Sequence, residues 1–295
     1  MVANRWQTSI DPVIVSSEFE IEPQEIESLN SAIRMRFGLD FSGYEPKSYA
    51  RRLRRILRTY HLNNTIELWR KVLKEPGFID EFVDLLSVGL TSLFRDPPMW
   101  RALRDQLAQL SETKHTLRIW HAGCSSGEEV WSMAILLNEL KAFSKVEVLA
   151  TDMSQAALIN GQKGIFSELV LKDYHKLYSE FNPKGDLSRY YELLPDGSAR
   201  FNPSILPPIT WKQHNLVTME YPGSYDLVFC RNVMIYFDAP TKERVVAKFS
   251  DAMVPDGIFI IGFFDALVSQ LGAAGWVAKD LTTKIFRRQT QSQQF

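Results

Sequence analysis

The chain has 295 residues, of which 45% are hydrophobic and 23% charged, as is usual for a globular protein of one large domain or two ordinary ones. Its formal net charge of −1 predicts no general attraction to nucleic acid or to an anionic membrane. It contains no apolar run of about 18 residues, and its first residues lack the pattern of a secretion signal, so we expect no direct membrane insertion.

The cysteines and histidines argue against a disulfide framework and against a metal site. Cys124 and Cys230 are the two cysteines, and both lie in apolar, strand-like sequence. This usage is typical of a reducing compartment, and we expect a cytoplasmic protein. The five histidines are scattered, and none pairs with a cysteine at metal-ligand spacing, so no metal is expected.

The first third of the chain has a helical pattern. Residues 1–22 read as an irregular lead-in rich in Pro, Ser and Asp. Residues 23–98 are predicted to form a helical domain, because apolar residues recur there at helical spacing between clear breakers. The predicted helices span 23–37, 46–60, 65–74 and 77–88.

After a further predicted helix at 99–110, strand and helix patterns alternate. Predicted strands span 117–122, 146–151, 225–230 and 257–262, and predicted helices span 130–140, 154–162 and 240–253. Successive strand–turn–helix units predict a parallel sheet covered by helices, hence an α/β, Rossmann-like domain over 99–287.

Two parts of this second half lack a regular pattern. Residues 164–214 read as an irregular insertion, a candidate small β-subdomain, with a hairpin at 195–197. The polar residues 288–295 are expected to be a disordered tail.

The segment 122–129 (AGCSSGEE) lies between a predicted strand and a predicted helix and is rich in small residues, which let a ligand approach the backbone. Asp152 ends the next strand, 25 residues after Gly127, where a carboxylate can accept hydrogen bonds from ribose hydroxyls. The pattern GxGxxG is absent. Glu128 and Glu129 at the start of the helix would repel a pyrophosphate, but they suit the sulfonium and ammonium groups of S-adenosylmethionine. The alternative is that the two glutamates only complement the helix dipole.

Four strings occur in order at suitable spacings: 91–96 (TSLFRD), 122–129 (AGCSSGEE), 150–153 (ATDM) and 230–237 (CRNVMIYF). Together they resemble the CheR family of chemotaxis receptor methyltransferases. The resemblance spans about residues 25–287, and the last string is the most specific of the four. It implies a helical N-terminal domain packed on a Rossmann-like methyltransferase domain with a small β-subdomain. It also implies that S-adenosylmethionine methylates glutamate side chains on chemoreceptor cytoplasmic helices, leaving S-adenosylhomocysteine.

Carried over by motif, the resemblance implies a set of site residues. Arg95 and Tyr236 would flank the transferred methyl group as catalytic residues. The implied cofactor-binding residues are Thr91, Arg95, Gly123, Glu129, Asp152, Met153, Asn215, Leu216, Arg231 and Asn232. The chain departs from the family at position 89, a glycine where many members carry asparagine, and at 262–265, where GFFD replaces the common GHSE.

Methylation of a carboxylate makes few chemical demands. A glutamate side chain has an ordinary pKa of about 4.3, so it is already ionised and nucleophilic at neutral pH. In-line displacement at the sulfonium carbon needs no general base, but it needs alignment and partial removal of water. Arg95 could hold a carboxylate in a bidentate pair, and its alternative reading is a surface ion pair.

The helix predicted at 46–60 carries a basic face opposite an apolar one. The basic residues are Lys47, Arg51, Arg54, Arg55 and Arg58. We interpret this face as a docking surface for an acidic helical substrate, and the alternative is a solvated face. Nucleic acid is disfavoured, because no aromatic residues interleave for base stacking.

Three hypotheses remain open at this point. The first is a glutamate O-methyltransferase that acts, as a monomer, on chemoreceptor cytoplasmic helices. The second is a methyltransferase with another acceptor, such as a small molecule or a nucleic acid. The third is a cofactor-binding regulatory module without catalysis.

Overall fold

A computed structural model of the protein describes residues 21–86 and 91–288. Most of the expected lead-in, the glycine at position 89 and all but the first residue of the expected tail lie outside this range. The N-terminal helices are α1 (Pro23–Phe37), α2 (Pro46–Thr59), α3 (Thr65–Lys74) and α4 (Phe78–Leu86). The predicted bounds of α1 and α3 are confirmed, and α2 ends one residue earlier than predicted.

Local sequence explains where these helices begin and end. Pro23 opens α1 behind a reciprocal pair of hydrogen bonds between Glu22 and Glu25, and Gly38 ends it with a φ of 69°. The Glu45 side chain caps α2 by accepting hydrogen bonds from two backbone N–H groups. The apolar faces of the four helices then share one buried core.

The rest of the described chain is an α/β unit. Its helices are α5 (Pro97–Ser111), α6 (Glu128–Leu140), α7 (Gln155–Lys163), α8 (Glu168–Phe181), α9 (Ala239–Asp251) and α10 (Val268–Ala273). Its strands are β1 (Thr116–Ala122), β2 (Lys145–Asp152), β3 (Ile165–Phe166), β4 (Tyr191–Leu193), β5 (Ala199–Phe201), β6 (Ile209–Gln213), β7 (Tyr225–Cys230), β8 (Met253–Ile261), β9 (Trp276–Ala278) and β10 (Ile285–Arg288).

Seven strands form the main sheet in the order β6-β2-β1-β7-β8-β10-β9. The strands β6, β2, β1, β7 and β8 run parallel, and β10 pairs antiparallel with both β8 and β9. The chain adds strands on one side of β1 and then returns to add β7 and β8 on the other side. The carboxyl ends of β1 and β7 therefore flank a crevice of the kind in which α/β proteins bind ligands.

The sheet is covered on both faces, as the continuous apolar pattern of its strands predicts. Leu227 and Phe229 of β7 belong to one hydrophobic core, which includes residues of α5, α6 and α8. The alternate residues Val228 and Cys230 belong to a second core, with residues of α9. The α/β fold class is thereby confirmed. In the described ranges, no helix combines the length and the apolar character needed to cross a bilayer.

The irregular character predicted for residues 164–214 is wrong in two respects. The segment contains α8, whose inward residues Leu171, Tyr174, Tyr178 and Phe181 recur at helical spacing. It also contains β6, which belongs to the main sheet rather than to a subdomain and escaped notice because this half-exposed edge strand lacks a buried apolar run. The small subdomain is the three-stranded sheet β3-β5-β4, and its β4–β5 hairpin closes where predicted, through Leu194 N–H donating to Ser198 O at 2.8 Å.

Candidate active site

A cavity of about 450 Å³ opens at the carboxyl ends of β1, β2 and β7. Its size suits a small-molecule ligand. Its walls come from the turn after β1, the end of β2, the segments after β6 and β7, the loop after β8, and the N-terminal helix α4. The crevice expected from the strand order is therefore a real pocket, and the helical region helps to close it.

The turn between β1 and α6 forms the floor of this cavity. Gly123 and Gly127 have φ values of 82° and 87°, a backbone region that favours glycine. At Gly127 a Cβ atom would lie 2.7 Å from the Cα atom of Gly161, so the glycine allows the turn to pack closely on α7. Small residues in this segment are thus needed for the turn itself as well as for ligand approach.

The two glutamates that start α6 have different roles, which corrects their joint assignment. The Glu128 side chain is buried and accepts hydrogen bonds from Ser126 Oγ at 2.8 Å and from the Tyr174 hydroxyl at 3.1 Å. Burial raises its pKa above the ordinary value. Glu128 does not line the cavity, whereas Glu129 does. Of these two glutamates, therefore, only Glu129 can present negative charge to a ligand.

Glu129 is held between His121 and Arg231. One carboxylate oxygen lies 2.8 Å from His121 Nδ1, and the other accepts a hydrogen bond from Arg231 Nη1 at 3.2 Å. Burial opposes ionisation, but the hydrogen bond to His121 and the charge of Arg231 outweigh it and hold the pKa of Glu129 below its ordinary value. Glu129 is therefore ionised at neutral pH, with part of its charge balanced by Arg231.

Arg231 also ties the 91–96 segment to the sheet. Its Nη2 donates to Asp96 Oδ2 at 2.6 Å and to the carbonyl oxygen of Arg95 at 3.0 Å. Asp96 has a φ of 61°, so these bonds stabilise a turn with an unusual backbone. Arg231 thus orders the wall that carries Arg95. Its charge is paired with the carboxylates of Asp96 and Glu129.

Asp152 stands at the end of β2, as predicted, and lines the cavity. It accepts backbone hydrogen bonds from Ser125 at 2.8 Å and from Ser154 at 2.9 Å. Burial raises its pKa above the ordinary value, and the nearby charge of Asp84 raises it further.

Asp84 is a cavity residue that the sequence did not single out. It lies on α4 and lines the same cavity as Asp152, and burial raises its pKa. Its Oδ1 atom is buried and has no hydrogen-bond partner in the part of the chain that the structure describes. An unsatisfied buried oxygen beside a ligand-sized cavity fits a donor supplied by the ligand.

The loop after β7 forms the opposite wall and carries Tyr236. The guanidinium of Arg52 stacks on the Tyr236 ring with its carbon 3.9 Å from the ring centre. Arg52 is buried and also donates a hydrogen bond to the carbonyl oxygen of Leu86 at the end of α4. The backbone carbonyl oxygen of Tyr236 in turn accepts a hydrogen bond from the backbone N–H of Glu45 at 2.8 Å. The helical region therefore supports the loop from outside the cavity.

Asp265 supports the same loop from the sheet. Its buried carboxylate accepts from Gly262 N at 2.7 Å, Asn232 N at 2.8 Å and Ile235 N at 3.1 Å. This acid belongs to the GFFD segment that departs from the family pattern. An acidic side chain at position 265 thus anchors the backbone of the 230–237 string.

The structure brings most of the predicted site residues to one cavity. Those that line it are Thr91, Arg95, Gly123, Glu129, Asp152, Met153, Leu216, Arg231, Asn232 and Tyr236. Asn215 is the exception: it is buried, its side-chain oxygen accepts from Val217 N at 2.9 Å, and it is not among the lining residues. Its neighbour His214 lines the cavity instead.

Four of the predicted docking residues are solvent-exposed. Lys47, Arg51, Arg55 and Arg58 are exposed on α2, and Arg54 is half-buried. Arg52, which is not among the predicted docking residues, is the buried arginine of α2. The exposed cations of α2 therefore form a candidate docking surface, whereas Arg52 contacts the active-site loop.

Sequence comparisons agree with this architecture. Residues 89–278 match the family model of the CheR methyltransferase SAM-binding domain, and residues 24–87 match that of the CheR methyltransferase all-alpha domain. These two matched ranges meet where the helical region ends and the cavity segment begins.

Named relatives cover most of the chain. The protein Cher3 of Pseudomonas putida is 32% identical over 238 residues, covering 81% of this chain and 87% of its own. The chemotaxis protein methyltransferase of Listeria innocua is 29% identical over 234 residues, covering 78% of this chain and 85% of its own. Chemotaxis protein methyltransferase 2 of Pseudomonas aeruginosa is 29% identical over 262 residues, covering 87% and 91%.

Proposed function

Because the chain belongs to the CheR methyltransferase family, we propose that it methylates glutamate side chains on the cytoplasmic helices of a chemoreceptor. It is an S-adenosylmethionine-dependent methyltransferase, as its SAM-binding domain shows. The proposal adds the acceptor, a cytoplasmic site of action and a monomeric enzyme. The carrying observation is that Arg95, Asp152 and Tyr236, from three separate segments, line one cavity.

The residues around the cavity fit the cofactor. Asp152 would accept hydrogen bonds from the ribose hydroxyls, and the buried, unpaired Oδ1 of Asp84 offers a further acceptor. The ionised Glu129 would favour the cationic end of the ligand. No lysine or arginine cluster suited to a pyrophosphate lines the cavity within the described ranges, since Arg231 is already paired with Glu129 and Asp96.

When bound, S-adenosylmethionine supplies a methyl group on a positively charged sulfur. The protein's part is to hold the acceptor carboxylate in line and to remove water from it. Arg95 supplies a planar cation for the carboxylate, and Val233, Ile235 and Tyr236 supply a largely apolar wall. Cys124 lines the cavity, but burial raises the pKa of its thiol well above its ordinary value, so this thiol is not a competing nucleophile.

The acceptor is further supported by the outer face of α2. Its exposed cations lie on the same helix as Arg52, which contacts the Tyr236 ring at the cavity wall. An acidic helix bound along α2 would therefore contact the same helix that supports Tyr236. Because the chain as a whole is nearly neutral, electrostatic attraction of an acidic helix would be concentrated at this face.

The test is to incubate the protein with radiolabelled S-adenosylmethionine and purified receptor cytoplasmic fragments. We expect protein-bound label that is released by mild base, as a carboxyl methyl ester is. A receptor fragment with its acceptor glutamates replaced by alanine is the control and should stay unlabelled. Tight cofactor binding without transfer to any receptor would contradict the proposal, and base-stable label would point to another acceptor group.

A further inference from the structure

Two exposed aromatic side chains follow β8 at the cavity. Phe263 is 55% and Phe264 70% exposed, and their rings meet edge to face at 5.7 Å between centres. Phe264 also lines the cavity that contains Arg95 and Tyr236. Large apolar side chains next to each other at the mouth of an active site are a mark of a binding surface.

The loop that carries this aromatic pair is held in place. Asp265, the next residue, is 1% exposed and accepts three backbone hydrogen bonds, two of which join the loop to the 230–237 segment. Lys284, the residue before β10, lies over the Phe263 ring, 5.6 Å from its centre. The exposed rings are therefore presented on a fixed backbone beside the reacting groups, and neither ring is used to fill the core.

Two exposed surfaces of different chemistry are connected to the active-site loop. The aromatic pair supplies an apolar surface, and α2, whose inward residue Arg52 contacts the Tyr236 ring, carries the exposed cations. A ligand that covers both must combine carboxylates with apolar side chains. An amphipathic, acidic α-helix has this combination, and its residues three or four positions apart lie about 5–6 Å from each other on one face.

We propose that Phe263 and Phe264 bind an apolar side chain that lies one helical turn from the methylated glutamate of the substrate helix. This rests on the proposed function, because it takes the acceptor to be a glutamate on a helix. The aromatic pair then contributes to the choice of glutamate: carboxylates with an apolar neighbour one turn away are preferred over those with a polar neighbour.

The first experiment replaces the aromatic pair, using the full-length protein and a receptor cytoplasmic fragment. In the double variant Phe263→Ser, Phe264→Ser, we expect the KM for the receptor fragment to rise about tenfold or more. The single variant Phe263→Ser should show a smaller rise in KM with an unchanged Kd for S-adenosylhomocysteine, since Phe263 does not line the cavity. Met35→Ser is the matched control, because Met35 is 83% exposed on α1, and its KM should equal that of the wild type.

A second experiment tests the contact itself. In the receptor fragment, the apolar residues three and four positions from the methylated glutamate are replaced by serine. With the wild-type enzyme this change should raise KM, and with the double variant it should have no further effect. Independent, multiplying effects of the two changes would overturn the inference.

Other outcomes separate this inference from the proposed function. If the wild type and the double variant methylate the receptor fragment with equal KM, the inference fails and the proposed function stands. If the wild type transfers no label to any receptor, both fail. A self-associating wild type that becomes monomeric in the double variant, with unchanged KM, would assign the aromatic pair to contact between copies and overturn the docking role.

Discussion

The guanidinium of Arg52 stacks on the ring of Tyr236 at 3.9 Å and so joins the helical region to the active-site loop. Arg52 also bonds the carbonyl oxygen of Leu86, so it connects α2, the end of α4 and the cavity wall. A stack between a planar cation and an aromatic ring contributes about 0.5–2 kcal/mol and restrains the ring orientation. Arg52 is therefore a positioning residue for Tyr236.

The first prediction concerns this stack. Arg52→Lys retains the charge but loses the planar group, so we expect kcat to fall about tenfold while the Kd for S-adenosylhomocysteine stays within twofold. Steady-state kinetics and isothermal titration measure the two quantities. Arg70→Lys, at an exposed position on α3, is the control. An unchanged kcat in Arg52→Lys would remove the positioning role.

The second prediction concerns Arg95 as the group that holds a carboxylate. Arg95→Ala should lower kcat/KM for the receptor by about 100-fold or more, since a charged donor that aligns the reacting group is lost. Arg95→Lys should recover part of the activity, because a point charge remains without bidentate geometry. Arg118→Ala, an exposed arginine paired with Glu147 on the sheet, is the control. Full activity in Arg95→Ala would exclude Arg95 from the mechanism.

The third prediction concerns Arg231 and its two carboxylates. Arg231→Met leaves the half-buried Glu129 and the nearby Asp96 without their cation, and we expect a loss of about 3 kcal/mol in the free energy of unfolding. Adding Glu129→Gln should restore part of this stability but not cofactor binding. Chemical denaturation of the wild type, the two single variants and the double variant gives the unfolding free energies for a double-mutant cycle. Additive effects of the two changes would contradict the coupling.

The fourth prediction is a pH dependence set by the acids of the cavity. Burial raises the pKa values of Asp84 and Asp152 in the fold above their ordinary values. A carboxyl group with a raised pKa stabilises the fold most when it is protonated, below its ordinary pKa. This contribution to stability is lost as the pH rises through the raised pKa. Asp84→Asn should therefore unfold about 2 °C above the wild type at pH 7–8 without ligand, and the difference should shrink toward pH 4.

The cofactor analogue provides the control for Asp84. Saturating S-adenosylhomocysteine should stabilise the wild type more than Asp84→Asn, if the ligand donates a hydrogen bond to this carboxylate. Thermal unfolding with and without the analogue measures both differences. Equal stabilisation of the two proteins would show that Asp84 does not contact the cofactor.

The fifth prediction concerns the outer face of α2. Reversing Arg51, Arg55 and Arg58 to glutamate should raise the KM for the receptor at least tenfold, with a smaller effect at high salt and no change in cofactor affinity. The control is a triple reversal of Lys141, Lys212 and Lys279, which are exposed elsewhere. An unchanged KM in the α2 variant would make this face a solvated surface only.

Much of the fold follows from local sequence. The bounds of α1, α3 and β7 match the expected ones, because each has a clear periodic pattern with strong breakers or caps. The strand β6 was missed, since a short edge strand buries little apolar surface and its partner β2 is distant in the chain. Pairing between strands that are distant in the chain cannot be predicted from the local sequence of either strand.

The sequence by itself determined the α/β class, the small-residue turn and the strings that carry the site, because these depend on residue type and spacing along the chain. The tertiary structure alone decided which of the charged residues act together. Glu128 turns toward Tyr174 while Glu129 faces the cavity, and Asp84 meets Asp152 across the join between the two regions. Arg52 lies on the buried side of α2 and contacts Tyr236. Burial and pairing set the role of a charge, and both depend on residues far away in the chain.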